Sequence, residues 1–311
     1  MRNVILTRDL TRQGFTTTEV ARLERNGDLV RLRRGAYVRD EAQQELPDGD
    51  DEHVRLATRH RQLIEATLGQ LHPRAVISHG SAAVLHGLPV FTGAVQSVHV
   101  TRDRHGGGAR RSVVQVHGSR LRGDDVVLLD GIALTSLART VGDLARTLPF
   151  EQGVAVGDQA LRLGLELDEL AVVLELAARW VGAVQARRVA AFLDKRSESV
   201  GESFSRVRCH ELGLPVPDPQ YDVFDEQGLH VGRADFGWPE LRTLGEFDGK
   251  SKYLRLRRKD ETIEEAVIRE KLREDRLRDL GWQVVRWIWA ELFRAEVIAE
   301  RLHRAFARGR R

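Results

Sequence analysis

Three acidic residues stand where the sequence could hold a metal ion: Asp235, Glu246 and Asp248. They belong to two runs with period-two character, 230–236 and 242–248, and a Pro-Glu pair between the runs predicts a β-hairpin. Because side chains alternate between the faces of a strand, Glu246 and Asp248 share one face of the second strand. The short connection then allows Asp235 to lie near Glu246.

Crowded carboxylates repel one another unless a cation, a basic neighbour or water compensates their charge. Mg²⁺ or Mn²⁺ would accept oxygen ligands from Asp235 and Glu246, and Lys250 or Lys252 could then orient the attacking water. This interpretation predicts metal-dependent hydrolysis. The alternative is that the acids are solvated hairpin charges and that Asp248 simply begins a turn with the glycine after it.

Four segments carry a resemblance to a known superfamily. From about Ser199 to Leu292 the chain resembles the PD-(D/E)XK, restriction-endonuclease-like superfamily, in particular a bacterial domain related to very-short-patch-repair endonucleases. The entry helix and first strand correspond to GESFSRVRCHELGLPVPDPQYDV, and the acidic strand corresponds to VGRADFGWPE. The next strand corresponds to GEFDGKSKY, and the closing helix and strand correspond to EKLREDRLRDLGWQVVRWIW. The resemblance implies an αβββαβ domain.

It also implies roles for individual residues. Asp235 and Glu246 would be metal ligands, Glu202 an accessory acid from the first helix, and a lysine the partner of the water. The strict pattern has lysine where this chain has Asp248, so that role would move to one of the two lysines that follow. The implied activity is phosphodiester hydrolysis in DNA with Mg²⁺ or Mn²⁺, as an endonuclease in defence or DNA processing.

The N-terminal segment predicts a winged helix. A short helix closed by Gly14 precedes a capping-box pattern at Thr16 and Glu19, and two strands around Arg34 and Gly35 follow. The second helix would present four residues to a major groove: Thr17, Thr18, Arg22 and Arg25. The wing would meet phosphates or the minor groove through Arg31, Arg33 and Arg34. The alternative is a small surface subdomain with a solvated arginine face.

The same segment, LTRDLTRQGFTTTEVARLERNGDLVRLRRGAYV, resembles the N-terminal domain of the AbiEi family, the antitoxins of type IV toxin-antitoxin systems. Two more segments, SHGSAAVLHGLPV and LTSLARTVGDLAR, resemble the middle region of that family. The resemblance implies binding to double-stranded DNA at the protein's own promoter and, in some members, neutralisation of a nucleotidyltransferase toxin. A non-catalytic transcriptional regulator or antitoxin is therefore the alternative to a nuclease.

The middle region predicts strands, a basic loop at 102–111 and a helical platform from Thr135 to Leu193. His79 and His86 flank a short helical segment at a spacing unlike the common metal motifs, so we interpret them as structural or capping residues. The loop 102–111 is either an exposed hairpin tip or a clamp on a phosphate backbone.

Composition bounds the remaining possibilities. The chain has 311 residues, of which 41% are hydrophobic and 31% charged, and its net charge is +3. Its arginines cluster, which favours nucleic acid as a partner. The single cysteine, Cys209, predicts a buried thiol, and no apolar run reaches the roughly 18 residues that span a bilayer. We expect a cytoplasmic α+β protein without a membrane partner, with a winged helix at 1–48, a mixed α/β middle region at 49–195 and the nuclease-like domain at 196–311.

Overall fold

The computed structural model describes residues 4–39, 52–104, 107–111, 113–249 and 262–310. Backbone proximity divides the chain into two compact units, the first formed by 1–149 and 164–191 and the second by 150–163 and 192–311. The winged-helix and middle segments thus share one unit, and a helix expected in the platform belongs to the other. The boundary between residues 48 and 49 lies outside the described residues, and the three-domain division stays a prediction.

The N-terminal elements follow the order that the sequence predicts. They are β1 (Ile5–Leu6), α1 (Thr7–Arg12), α2 (Thr17–Asn26), β2 (Leu29–Arg33) and β3 (Ala36–Arg39). The strands form a sheet in the order β1-β3-β2. Glu19 N donates to Thr16 Oγ1 at 3.3 Å and Thr16 N donates to Glu19 Oε2 at 2.7 Å, so the predicted capping box is confirmed.

A six-stranded mixed sheet forms the centre of the first unit, in the order β6-β7-β5-β4-β9-β8. Its strands are β4 (Ala75–Ile77), β5 (Val98–Asp103), β6 (Ala109–Arg111), β7 (Val114–Ser119), β8 (Val126–Leu129) and β9 (Ile132–Thr135). Strands β8 and β9 form an antiparallel hairpin. Asp130 and Gly131 both have positive φ, at 50° and 77°, which is the backbone of a tight hairpin turn.

The helices of this unit are α3 (Glu52–Leu68), α4 (His79–His86), α5 (Leu137–Thr147), α7 (Leu167–Leu176) and α8 (Ala183–Phe192). Helices α3 and α4 pack against β5, and α5 packs against α4 and α7. Helix α6 (Phe150–Arg162) lies in the second unit. The predicted helical character of 135–193 is confirmed. Helix α6 packs against another helix of the second unit, so the helical segment is divided between the two compact units.

The second unit has the order helix, three strands, helix, strand that the nuclease resemblance implies. These elements are α9 (Val200–Glu211), β10 (Asp218–Phe224), β11 (His230–Trp238), β12 (Thr243–Asp248), α10 (Ile263–Asp279) and β13 (Gln283–Ile288), followed by α11 (Trp289–Leu292) and α12 (Ala295–Gly309). The sheet order is β10-β11-β12-β13, with β12 and β13 parallel.

The described residues form helices and three separate sheets, which confirms the predicted α+β class. Cys209 is buried as expected, and burial raises the pKa of its thiol to about 12. Among the described residues, every helix is too short or too polar to cross a membrane.

Candidate functional site

The acidic hairpin predicted from the sequence is present. Strand β11 pairs antiparallel with β12 from the Trp238–Thr243 pair to the Phe236–Gly245 pair. Past this point, Phe247 N donates to Asp235 Oδ2 at 2.7 Å. The carboxylate of Asp235 therefore accepts a hydrogen bond from a backbone amide that, in a regular β-ladder, would donate to a backbone carbonyl. This bond ties Asp235 to the residue next to Glu246.

The regular alternation on which the prediction rested changes at Asp235. Ala234 packs in one buried cluster with Leu244. Phe236 is in register with the residue after Leu244, so it lies on the other face, where it stacks on Trp287 with ring centroids 5.6 Å apart. Ala234 and Phe236 would share a face in a regular strand. The direction of the Asp235 side chain therefore cannot be read from the regular alternation of strand residues, because β11 is irregular at this position.

Glu246 is buried, with 2% of its surface exposed, and arginines neutralise it. Arg273 Nη2 lies 2.5 Å from Glu246 Oε1, and Arg286 Nε lies 2.8 Å from Oε2. Arg286 also contacts Glu270 at 2.7 Å and Glu274 at 3.1 Å, and Arg273 contacts Glu270 at 2.6 Å. We call these five residues the ionic network.

Burial and charge act in opposite directions on this network. Burial lowers the pKa of Arg273 and Arg286, but the neighbouring carboxylates outweigh it and raise both. Burial likewise raises the pKa of Glu270, and its arginine partners outweigh that effect and lower it. The charged forms are therefore stabilised. A metal ion at Glu246 would have to compete with two guanidinium groups for its oxygens.

Glu202, implied as an accessory acid, is buried in the first turn of α9. Its carboxylate accepts from Glu198 N, Ser199 Oγ and Gln220 Nε2, each at 2.7 Å. Burial raises the pKa of Glu202, and these hydrogen bonds oppose that effect. Because Ser199 Oγ also accepts from Glu202 N at 3.2 Å, the pair caps the helix. The hydrogen bonds of Glu202 therefore indicate a structural role at the start of α9.

Asp248 is half-buried at the last position of β12, in register with Ile288 of β13. Lys250 and Lys252, the two expected partners of the water, lie outside the described residues. Their predicted role is therefore unchanged by the structure.

The exposed face of α2 carries the residues that the sequence assigns to the major groove. Thr17, Thr18, Arg22 and Arg25 are all exposed, whereas Val20 is buried. Val20 packs in a cluster with residues of α1, β2 and β3. The helix is thus anchored by one face and open on the other, as a recognition helix requires.

The three wing arginines are not equivalent. Arg33 is buried, its Nε donates to Ala66 O at 3.0 Å and its Nη1 donates to Arg34 O at 2.7 Å. Arg31 and Arg34 are both exposed, and Arg31 Nη1 lies 3.7 Å from Glu24 Oε1. The phosphate contact predicted for Arg33 is therefore corrected, because its guanidinium anchors the wing to the C-terminal turn of α3.

Sequence reasoning missed the arginines of the ionic network and two histidines, His99 and His117, that meet His79. Arg286 had a signal, since it stands opposite Glu246 once the parallel register of β12 and β13 is known. The meeting of His79, His99 and His117 had no signal in the sequence, because the three residues come from separate elements.

No family model matches the chain. Two proteins from strains of Mycobacterium tuberculosis, uncharacterized protein MT2308 and uncharacterized protein Rv2248, are each similar at 29% identity over 269 residues, which cover 84% of this chain and 86% of theirs. A crystal structure of the RV2827C protein from Mycobacterium tuberculosis matches with a TM-score of 0.36 and 14% identity, over 73% of this chain and 85% of that chain.

Proposed function

We propose that this chain is a double-stranded-DNA-binding regulator that contacts DNA through its winged helix. One observation carries the proposal: α2 buries Val20 and exposes Thr17, Thr18, Arg22 and Arg25. Threonine hydroxyls and arginine guanidinium groups are donors that suit base edges and phosphates. The capping box fixes the start of α2, so these side chains are held at fixed positions along the helix.

The neighbouring surface supports the same function. Arg34 of the wing lines a groove together with Arg102 and Arg104, from the end of β5. Arg102 is partly exposed and Arg104 is exposed. These arginines could contact the DNA phosphates that lie beyond the base pairs bound by the recognition helix. The basic loop predicted at 102–111 therefore contributes to the proposed DNA surface through at least these two arginines.

We infer that the nuclease-like domain of this regulator does not turn over, as the AbiEi resemblance also allows. The ionic network supports this inference, because both oxygens of Glu246 accept from guanidinium groups. Neutralisation of a cognate toxin is an additional role that the resemblance implies, and the domain would then serve as a binding module.

A metal-dependent endodeoxyribonuclease is the second candidate. It is favoured by the position of Asp235, whose carboxylate binds the amide next to Glu246. Asp235 and Glu246 would then hold Mg²⁺ or Mn²⁺, provided that Arg273 and Arg286 release Glu246. Metal-dependent nicking of plasmid DNA that is lost in Asp235→Ala would favour this candidate over the regulator.

Duplex binding by the full chain tests the proposed function. Fluorescence anisotropy with a labelled duplex from the region upstream of the coding sequence compares the parent with the double variant Arg22→Ala/Arg25→Ala. We expect the double variant to lose at least about tenfold in affinity, since each base contact is worth about 1–3 kcal/mol. Arg179→Ala is the matched control, because Arg179 is exposed and lies away from the winged helix in sequence. Equal affinity of the double variant and the parent would contradict the proposal.

A further inference from the structure

Three histidines from separate elements of the first unit converge on one point. His79 is the first residue of α4, His99 lies on β5 and His117 lies on β7. Their ligand-capable atoms all lie within 4.8 Å of one another, and His99 Nδ1 is 3.0 Å from His117 Nε2. The rings of His79 and His117 stack with centroids 3.8 Å apart. We call these three residues the histidine cluster.

We propose that the histidine cluster binds a divalent transition metal ion, and that the ion is Zn²⁺. Three neutral imidazoles with a fourth position open to water form a common zinc coordination set. Two nitrogens bound to one tetrahedral Zn²⁺ are roughly 3.4 Å apart. The 3.0 Å separation of the nitrogens of His99 and His117 is close to that value, so these two side chains need little adjustment. The ring of His79 lies at 15° to that of His117, so it must rotate to direct a nitrogen to the same ion.

The backbone at His79 supports a specific role for this residue. Its φ is +50°, a left-handed conformation that is strained in a residue other than glycine. The next residue, Gly80, packs so closely that a Cβ there would lie 2.1 Å from Ala94 O. The chain is therefore held in place where His79 turns towards the sheet, and Ser78 Oγ lies 3.0 Å from His79 Nδ1. This contact engages Nδ1 and leaves Nε2 for a ligand.

A buried hydroxyl group on the same face of the sheet gives independent support. Thr101 is directly opposite His117 in the parallel register of β5 and β7, and it lies two residues from His99, so all three share a face. Thr101 Oγ1 is fully buried and has no hydrogen-bond partner among the described residues. Such a group is costly unless something satisfies it. Water bound to the metal ion would provide the partner.

The surroundings of the histidine cluster carry balanced charge. Asp143 is buried and accepts from Arg139 Nε at 2.9 Å and from Arg146 Nη2 at 3.0 Å, while Asp125 accepts from Arg139 at 3.1 Å. Two carboxylates thus offset two guanidinium groups. Asp143 also interacts electrostatically with His79, so the histidine cluster lies beside a carboxylate that would favour a bound cation.

Metal content and Co²⁺ absorption test the proposal on the purified full chain. The protein is stripped with a chelator, dialysed against Zn²⁺ or Co²⁺, and compared with His99→Ala, His117→Gln and the control His72→Ala, which removes an exposed histidine of the same unit. We expect about one equivalent of Zn²⁺ and the visible absorption of tetrahedral Co²⁺ in the parent and in His72→Ala. Both variants of the cluster should lose at least about tenfold in Zn²⁺ affinity.

Two results would overturn the proposal. One is a parent protein with neither stoichiometric Zn²⁺ nor tetrahedral Co²⁺ absorption. The other is a folded His117→Gln variant that binds Zn²⁺ as tightly as the parent. Circular dichroism checks folding, and His117→Gln is included because His117 is only half-buried and its replacement disturbs packing less than a change at His79.

Discussion

Arg286 Nε lies 2.8 Å from Glu246 Oε2, and both residues occupy the same level of the parallel strands β12 and β13. This pair places a cation where the nuclease resemblance implies a metal ion. It follows that Glu246 can be buried in the sheet without a metal, since Arg273 and Arg286 neutralise it. The acidic hairpin and its arginines therefore form one electrostatic unit.

Loss of Arg286 should destabilise the second unit. We expect Arg286→Met to lower the free energy of unfolding by about 2–3 kcal/mol, because it removes one of the two guanidinium groups that contact the buried carboxylate of Glu246. Chemical denaturation measures the change. Arg278→Met is the control, since Arg278 is well exposed and pairs at the surface, and it should change stability by less than about 1 kcal/mol. Equal effects of the two changes would refute the structural role of Arg286.

Asp235 should contribute through its hydrogen bond to Phe247 N. Asp235→Asn keeps a carbonyl acceptor, so we expect it to retain most of the stability, whereas Asp235→Ala should lose about 1–2 kcal/mol. Thermal and denaturant unfolding of both variants measure the difference. A larger loss in Asp235→Asn than in Asp235→Ala would mean that the charge of the carboxylate matters more than this hydrogen bond.

The two neighbouring wing arginines should behave differently. Arg34→Ala should flatten the salt dependence of duplex binding by a slope of about 0.9 if Arg34 meets one phosphate. Arg33→Ala should instead lower thermal stability, because Arg33 is buried and donates to Ala66 O. Binding measured from low to moderate salt and thermal unfolding give the two readouts. The assignment is wrong if Arg34→Ala leaves the slope unchanged while Arg33→Ala reduces it without loss of stability.

Acid should destabilise the first unit over a defined pH range. Burial lowers the pKa of His60 to about 4 in the folded chain, and its Nε2 lies 2.8 Å from Ser81 Oγ. The unfolded chain takes up that proton near pH 6.5, so it binds more protons than the folded chain between these values and stability falls as pH falls. The loss from His60 is on the order of 3 kcal/mol when the pH reaches 4.

The measurement is the thermal midpoint from pH 6.5 to pH 4 in the presence of a chelator, for the parent and for His60→Gln. The variant should show a shallower decline. His72→Gln, at an exposed site, should follow the parent. A parent midpoint that stays constant over this range would show that His60 does not remain neutral in the folded chain.

Much of the local structure could be predicted because it depends on neighbours in sequence. The capping pattern at Thr16 and Glu19 specified the start of α2, and Gly27, with a φ of 87°, ends it. The acidic hairpin followed from alternation and from the Pro-Glu turn. The turn at Asp130 and Gly131 also has a local signal, because an Asp-Gly pair is typical of a tight hairpin turn.

The site could be predicted only in outline. Arg33 and Arg34 are adjacent in one basic segment, so the sequence predicts the same DNA contact for both. Only the position of α3 shows that Arg33 is buried and Arg34 is exposed. Likewise, charge patterning cannot show that Arg273, on a highly charged helix, turns inward to Glu246. The histidine cluster depends on a register between β5 and β7 and on a left-handed residue at His79, and neither is encoded in a short motif.

Incubation of the purified full chain with supercoiled plasmid and Mg²⁺ or Mn²⁺, followed by separate gels for binding and for cleavage, tests the central claim most directly. The regulator proposed here should shift the plasmid and leave it supercoiled, and Asp235→Ala should bind equally well. Nicking that requires the metal ion and disappears in Asp235→Ala would contradict the claim, and so would a failure of the parent to bind duplex DNA at low salt.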